Sequence, residues 1–244
     1  MKIYGRNAVE EALKSGTTID RLVVQRDLRD VGANRIIQEA KDRGIKIFFR
    51  DKTALDRETE HGGRHQGFVA EVTDFKYSEP EEILALAESR GEPLFIVILD
   101  GVEDPHNLGS VIRVAECAGV HGIIIPRHRA VSVNDTVVKV SSGAAAHIKV
   151  AKVTNINNTI AELKERGVWV YAADMEGDDL YSTDLRGPVA IVVGGEGKGV
   201  SRLTREVCDG VVSIPMFGKV NSLNASVAAA VVIYEKVRQT VAQR

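Results

Sequence analysis

Residues 94–100 read LFIVILD, and this continuous apolar run predicts a strand that is buried on both faces. Similar runs recur downstream and are separated by helical patterns. Apolar strands that alternate with helices are typical of an α/β fold with a parallel sheet, whose ligands bind at the C-terminal ends of the strands. Further strands are predicted over 122–126, 147–151, 168–173, 189–194 and 210–215, and helices over 108–118, 134–140, 155–166, 201–207 and 225–237.

A smaller α/β pattern precedes this run. Between the two patterns, residues 74–93 contain Ser78 as a candidate helix cap and Pro80 in the first turn of a short helix. We therefore predict a small N-terminal α/β domain over 1–73, a linker over 74–93 and a parallel-sheet domain over 94–244. In the small domain, helices are predicted over 5–14 and 32–43, and strands over 19–25, 45–49 and 67–72.

The composition is typical of a globular cytoplasmic protein. Hydrophobic residues make up 44% of the chain and charged residues 27%. No apolar run approaches the ~20 residues of a membrane span, and the N-terminus lacks the apolar segment of a signal peptide. Cys117 and Cys208 form neither a disulfide framework nor a zinc motif, so we expect no metal.

The net charge of −2 argues against a protein that coats nucleic acid by charge alone. It leaves room for an RNA that is bound at a local site. Local basic clusters occur at Arg127-His128-Arg129 and at Arg64-His65. Because such clusters are most often solvated surface, neither is by itself evidence of a phosphate track.

The loop after the first apolar strand is unusually polar. Residues 99–120 read LDGVEDPHNLGSVIRVAECAGV, in which Asn107 is a plausible helix N-cap. Arg113 falls off the buried stripe of the following helix. It could act at a site beside the end of the strand, or it could be a surface side chain paired with Glu103 or Glu116.

The loop over 189–203, VAIVVGGEGKGVSRL, places four glycines in six residues directly after a strand. Such glycines imply a positive φ or a close approach of the backbone to another group. Neither a Walker A loop nor a G-x-G-x-x-G fingerprint fits this spacing. Glu196 could reach a ligand from within the glycines, or it could be a solvated residue in a flexible turn.

The third loop opens the stretch IPMFGKVNSLNASVAAAVVIYEKV, residues 214–237. Ile214, Met216 and Leu223 could line an apolar slot. A helix has one N-cap residue, whose side-chain oxygen accepts a hydrogen bond from an unpaired N–H group of the first turn. This excess of capping residues indicates a second role for some of them; the candidates are Asn221, Ser222, Asn224 and Ser226.

In this order and spacing, the three loops resemble the three motifs of the SpoU/TrmH (SPOUT) family of RNA ribose 2′-O-methyltransferases. The matching segments are DPHNLGSVIR, IVVGGEGKG and IPMFGKVNSLNASVAAA, and the similarity spans 93–244. YGRNAVEEAL and HQGFVAEV (65–72) resemble the small RNA-binding domain of many members. Within the family, the nearest resemblance is to the branch that methylates a guanosine of 23S rRNA.

The resemblance implies a deep trefoil knot in the C-terminal domain, S-adenosylmethionine as cofactor and no metal. It also implies an rRNA substrate from the large subunit and a homodimer formed through the C-terminal domain. The motif positions linked to catalysis are Asn107, Arg113, Glu196, Ser222 and Asn224. Those linked to the cofactor are Gly194, Gly195, Ile214, Met216, Gly218, Ser222, Leu223 and Asn224, and the candidates for RNA contact are Arg6, Asn7, Arg64, His65 and Gln66.

The resemblance leaves the proton acceptor open. A guanidinium is always protonated, so Arg113 could hold a substrate phosphate that takes the proton, or stabilise the developing alkoxide. Glu196 as a direct base is a third, weaker option. Three other functions are also considered: the same reaction on a tRNA or another rRNA site, a non-catalytic ribosome-assembly factor, and a nucleotide-binding module built on GGEGKG.

Overall fold

The computed structural model of the chain describes residues 2–15, 17–28, 30–59, 64–73, 75–197 and 199–242. It divides into two compact units, Met1–Lys76 and Tyr77–Arg244. Each unit has its own sheet and its own hydrophobic core.

The first unit is built on a four-stranded mixed sheet in the order β1-β4-β2-β3. β2 pairs in parallel with β3, and β4 is antiparallel to both β1 and β2. The strands are β1 (Lys2–Tyr4), β2 (Thr18–Gln25), β3 (Lys46–Arg50) and β4 (Phe68–Thr73), and the helices are α1 (Arg6–Lys14), α2 (Val31–Asp42) and α3 (Lys52–Glu58). The apolar faces of α1 and α2 form its core with β2 and β4; among the core side chains are Val9, Leu13, Leu22, Ile36 and Phe68.

Two elements of the first unit escape the sequence pattern. The three residues of β1 are too few to show a period. α3 buries only Leu55, so it lacks the repeated apolar positions of an amphipathic helix. Asp51 defines its start instead, because the carboxylate accepts a hydrogen bond from the Ala54 N–H at 2.8 Å.

The second unit contains the predicted parallel sheet. Its order is β10-β8-β9-β5-β6-β7, and every neighbouring pair is parallel. The LFIVILD run forms the central β5, in which residues 95–99 are buried. The strands are β5 (Phe95–Asp100), β6 (Gly122–Pro126), β7 (Lys149–Val153), β8 (Trp169–Asp179), β9 (Val189–Gly194) and β10 (Gly210–Ser213).

Helices cover this sheet. α5 packs against both α6 and α9, and α9 also contacts β8 and β9, whereas α4 contacts β7. Of the described helices, none is long and apolar enough to span a membrane. They are α4 (Pro80–Arg90), α5 (Pro105–Cys117), α6 (Asp135–Val140), α7 (Ile156–Glu165), α8 (Arg202–Val207) and α9 (Ala225–Val241).

Most of the segment predicted as a linker, residues 74–93, is part of the second unit. Its residues 80–90 form α4, whose Ile83 is fully buried in the core of the second unit. Glu79, and not Ser78, is the N-cap of α4, and Ser78 instead forms a bridge to Ala151 of β7. The second unit therefore starts at Tyr77, and Asp74 lies outside the described residues.

Candidate active site

The glycine-rich loop leaves the sheet beside the loop that follows β5. Asp100 and Gly194 are register partners at the ends of β5 and β9. A Cβ atom added to Gly194 would lie 1.9 Å from the carbonyl carbon of Gly199, and one added to Gly195 would lie 2.3 Å from the carbonyl oxygen of Gly101. Close backbone approach therefore requires glycine at both positions, as the sequence predicts; Lys198 of the same loop lies outside the described residues.

Three side chains join the three loops at this edge of the sheet. Asn107 Nδ2 donates to Glu196 Oε1 at 2.8 Å. Asn224 Nδ2 donates to the same carboxylate oxygen at 2.7 Å and to Asn107 Oδ1 at 2.9 Å. We call Asn107, Glu196 and Asn224 the amide–carboxylate cluster.

Local capping explains why Asn107 is available to this cluster. The sequence pattern makes Asn107 the N-cap of α5, but the helix begins earlier, at Pro105. Asp104 is the cap, and its carboxylate accepts hydrogen bonds from the backbone N–H groups of His106 at 3.3 Å and Asn107 at 3.2 Å. The Asn107 side chain is therefore not needed for capping. It is almost fully buried, with 4% exposed, and its amide donates to Glu196.

Asn224 accounts for part of the excess of capping residues. Its Oδ1 accepts from the backbone N–H groups of Ser226 at 3.0 Å and Val227 at 3.3 Å, which makes it the N-cap of α9. Its Nδ2 is then free to donate to the cluster. One side chain thus starts a helix and binds two other loops. Ser222 is exposed and makes no hydrogen bond among the described residues.

Arg113 lies on α5 outside the cluster. Its Nη1 donates to the Ser142 Oγ at 3.2 Å, and neither Glu103 nor Glu116 forms an ion pair with it in the described parts of the chain. Ser142 has a φ of 51°, a left-handed conformation that favours glycine. No sequence motif pointed to Ser142, because its contact depends on the packing of α6 against α5.

The loop over 214–224 carries apolar side chains on the surface. Ile214 is half-buried, Met216 is 39% exposed and Leu223 is 38% exposed. Gly218 lies between the exposed Phe217 and Val220 in the same loop. Apolar surface of this kind can contact a planar ligand or another protein surface.

A cavity of about 630 Å³ opens where β5, β6 and β7 end, a volume within the range of small-molecule sites. Of the predicted site residues, Asn107, Gly195 and Glu196 line it. Met216 and Leu223 of the third loop are not among the described residues that line it. In the described parts of the chain, no group of three or more His, Cys, Asp or Glu side chains is arranged to hold a metal ion.

The candidates for RNA contact in the first unit lie on two adjacent segments. The Arg6 backbone N–H donates to Gln66 Oε1 at 3.0 Å, and its guanidinium pairs with Asp30 at 2.6 Å. Asn7 and Arg64 are exposed.

His65, the fifth candidate for RNA contact, is 5% exposed. Its Nδ1 accepts from the Gly67 N–H at 2.9 Å, and its Nε2 lies 2.9 Å from Asp56 Oδ1. Both ring nitrogens are thus used within the first unit.

The fold and the site together define an α/β protein whose polar loop residues converge at the C-terminal edge of a parallel sheet, the edge at which such sheets bind ligands. The model of the SpoU rRNA Methylase family matches residues 94–234. The model for RNA 2′-O ribose methyltransferase substrate binding matches residues 2–78. The chain belongs to the SpoU rRNA methylase family and is an RNA methyltransferase.

Relatives match nearly the whole chain. YacO of Bacillus subtilis (strain 168), assigned to the TrmH family of tRNA/rRNA methyltransferases, is 44% identical over 238 residues, which are 97% of this chain and 95% of the relative. A protein of Staphylococcus haemolyticus (strain JCSC1435) assigned to the same family is 43% identical over 240 residues, with the same coverage.

Two solved structures illustrate the shared fold. The SpoU methyltransferase AviRb from Streptomyces viridochromogenes, in complex with AdoMet, is 25% identical with a TM-score of 0.63 and covers 99% of this chain and 91% of that one. The TrmH/SpoU tRNA-modifying enzyme of A. aeolicus is 28% identical with a TM-score of 0.58, over 67% of this chain and 84% of that one.

Proposed function

We propose that the protein transfers a methyl group from S-adenosylmethionine to the ribose 2′-hydroxyl of a guanosine in 23S rRNA, in the manner of the branch called RlmB. The observation that carries this proposal is the amide–carboxylate cluster, which brings together one residue from each of the three family motifs. The cluster lies at the strand ends, where parallel sheets bind ligands. The match of residues 2–78 to a substrate-binding domain supports an RNA substrate.

The residues at this edge fit an S-adenosylmethionine molecule. When bound, this cofactor supplies a methyl group on a sulfonium, which an oxygen nucleophile takes by displacement. Gly194 and Gly195 hold the glycine-rich loop close against the backbone of Gly199 and Gly101, which shapes this edge without side chains. Ile214 and Leu223 offer partly exposed apolar surface for a purine ring. AviRb, which shares the fold, contains the same cofactor.

We assign the cluster a positioning role. Two amide N–H groups from Asn107 and Asn224 occupy Glu196 Oε1, so the carboxylate holds the three loops in one geometry. A fixed geometry matters because displacement requires the hydroxyl oxygen and the methyl carbon in a near-attack arrangement.

We assign Arg113 an electrostatic role, which depends on the positive charge of its guanidinium. Its guanidinium cannot accept a proton, so it stabilises the oxygen as the 2′-hydroxyl loses its proton, or it holds a substrate phosphate that takes this proton. The hydrogen bond to the Ser142 Oγ orients the Arg113 guanidinium relative to α5.

We also propose the trefoil knot, the homodimer and the cytoplasmic location. After the glycines, the Ser201 N–H donates at 2.9 Å to Oδ2 of Asp100, the last residue of β5. The match of residues 94–234 to the SpoU family model supports the knot. Phe217, 98% exposed, and the half-exposed Val227 and Tyr234 of α9 supply apolar surface for a second copy.

The deciding experiment measures AdoMet binding by calorimetry and then tritiated methyl transfer to rRNA that lacks its native modifications. We expect binding and incorporation at one 2′-O-methylguanosine of 23S rRNA. Arg113→Lys should retain AdoMet binding and lose about 100-fold in rate, because a point charge does not replace the planar guanidinium. The exposed Arg127→Lys serves as the control.

Incorporation into tRNA instead of rRNA would identify tRNA as the substrate, which is the alternative consistent with relatives described as tRNA/rRNA methyltransferases. Absence of AdoMet binding would refute the cofactor. Normal turnover by Arg113→Lys would refute the role of Arg113.

A further inference from the structure

The cavity beside the cluster lies apart from Ile214 and Leu223, the apolar residues proposed to hold the cofactor. It shares Asn107 and Glu196 with the amide–carboxylate cluster, and its other walls come from the segments after β5, β6 and β7 and from residues after β9, among them Gly195 and Ser201. Ile214 and Leu223 are not among the described residues that line it. The cavity is therefore available to the second substrate of the reaction, next to the residues that position it.

Four carboxylates line the cavity, and three of them already accept hydrogen bonds. Asp104 caps α5 with both oxygens, and Asp100 accepts from the Ser201 N–H. Glu196 accepts from two amides. Glu103 differs, because neither of its oxygens takes part in a hydrogen bond or ion pair among the described residues. It is an exposed carboxylate with both acceptors unused.

Arg129 lines the same cavity from the segment after β6. Its φ of 55° is a conformation that non-glycine residues rarely adopt, and such strain is frequent at binding sites. Its guanidinium forms no ion pair with the described residues, although four carboxylates line the cavity with it. The Val131 N–H donates to the Val102 carbonyl at 2.9 Å, so the segments that carry Glu103 and Arg129 lie side by side.

We propose that this cavity binds the guanine base of the target nucleotide, with Glu103 on its Watson–Crick edge and Arg129 on its O6 and N7 atoms. Of the four RNA bases, guanine alone presents two adjacent donors, N1–H and N2–H, that match the two oxygens of one carboxylate. An arginine reads O6 and N7 of guanine through two parallel hydrogen bonds. The inference rests on the proposed function and names the residues that select its target.

The test compares guanosine with inosine at the mapped target position of a synthetic RNA. Inosine lacks the N2 amino group, so the wild type should lose about tenfold in kcat/KM, the effect of one hydrogen bond to a charged group. Glu103→Gln should lose about tenfold on the guanosine RNA and show no difference between the two RNAs. Glu162→Gln, an exposed substitution on α7 away from the cavity, should retain the wild-type ratio.

Arg129→Gly provides a second variant, which we expect to fold. Glycine adopts a φ of 55° without strain, so the melting temperature should be unchanged or higher while kcat/KM on the guanosine RNA falls about tenfold. A purely structural role for Arg129 would leave kcat/KM unchanged. The AdoMet Kd should be the same in wild type and in all three variants.

The proposal is overturned if Glu103→Gln keeps the tenfold preference for guanosine, or if the mapped target is not a guanosine. Weaker AdoMet binding by Glu103→Gln would also overturn it, because the cavity would then belong to the cofactor. Failure of the wild type to methylate any RNA would refute the proposed function itself. That result is distinguishable, since it appears before any variant is compared.

Discussion

The two units use their predicted site residues in opposite ways. In the second unit, Asn107, Glu196 and Asn224 bond to one another across three loops. In the first unit, His65 and Arg6 bond to partners of their own unit, Asp56 and Asp30. Residues that follow parallel strands meet because the strands end at one edge, whereas polar residues beside a turn often serve the turn itself.

Asn224→Ala should have the largest effect on the second unit. It removes two contacts to the cluster and the cap of α9, so we expect a loss of about 1 kcal/mol in stability and about 100-fold in kcat. Asn134→Ala is the matched control, because Asn134 caps α6 in the same way but lies outside the cluster. Equal kcat losses in the two variants would assign the effect to helix capping alone.

His65→Ala should affect the first unit through stability. It leaves the Gly67 N–H without a partner in a buried site, so we expect a loss of about 2–3 kcal/mol in the unfolding free energy of this unit. Arg64→Ala, at an exposed neighbour, should leave stability unchanged and weaken RNA binding. Urea unfolding by far-UV circular dichroism and RNA titration separate the two. If His65→Ala weakened RNA binding at full stability, the contrast between the units would fail.

Ser142→Gly tests the contact of Arg113 with α6. Glycine adopts the φ of 51° readily but lacks the hydroxyl that accepts from Arg113, so stability should be retained while kcat falls about fivefold. Ser142→Asn, which tolerates this φ and keeps a side-chain oxygen that can accept from Arg113, should retain more of the rate. Steady-state kinetics with KM and kcat resolved would decide. An unchanged kcat in Ser142→Gly would mean that Arg113 reaches its working position without this contact.

A smaller effect is expected from acid in the first unit. The hydrogen bond from Arg21 lowers the pKa of Glu71 below its ordinary value of 4.5. The stabilisation that the ionised Glu71 carboxylate provides is therefore present above pH 4.5 and is lost as the pH falls through the lowered pKa. Because this pair is partly exposed, Glu71→Gln should reduce the loss of stability between pH 6 and pH 3 by only about 0.5 kcal/mol.

Urea unfolding at the two pH values checks this prediction. Trp169, the single tryptophan, lies in the second unit and reports on that unit separately by fluorescence. A pH effect of Glu71→Gln on the tryptophan signal would contradict a local origin in the first unit.

Periodicity predicted the parallel sheet because its strands are apolar throughout. It did not predict the full length of β8, which continues to Asp179 through the exposed residues EGDD beyond the expected end at Ala173. Those residues extend the strand because β10 pairs with Asp178 and Asp179. Periodicity was equally uninformative about the packing of α4. This helix lies in a polar stretch of sequence, so only the structure shows that it packs against the core of the second unit.

The sequence by itself determined the α/β class, the positions of most strands and the glycines at 194 and 195, because burial and close backbone approach leave a local signature. Only the tertiary structure decided that Asp104 caps α5 and thereby frees Asn107 for Glu196. Only it placed Glu103 and Arg129 around one cavity. Asn107 and Glu196 are 89 residues apart, and Glu103 and Arg129 follow different strands, so these residues come together only when the strands have aligned and no local pattern encodes their proximity.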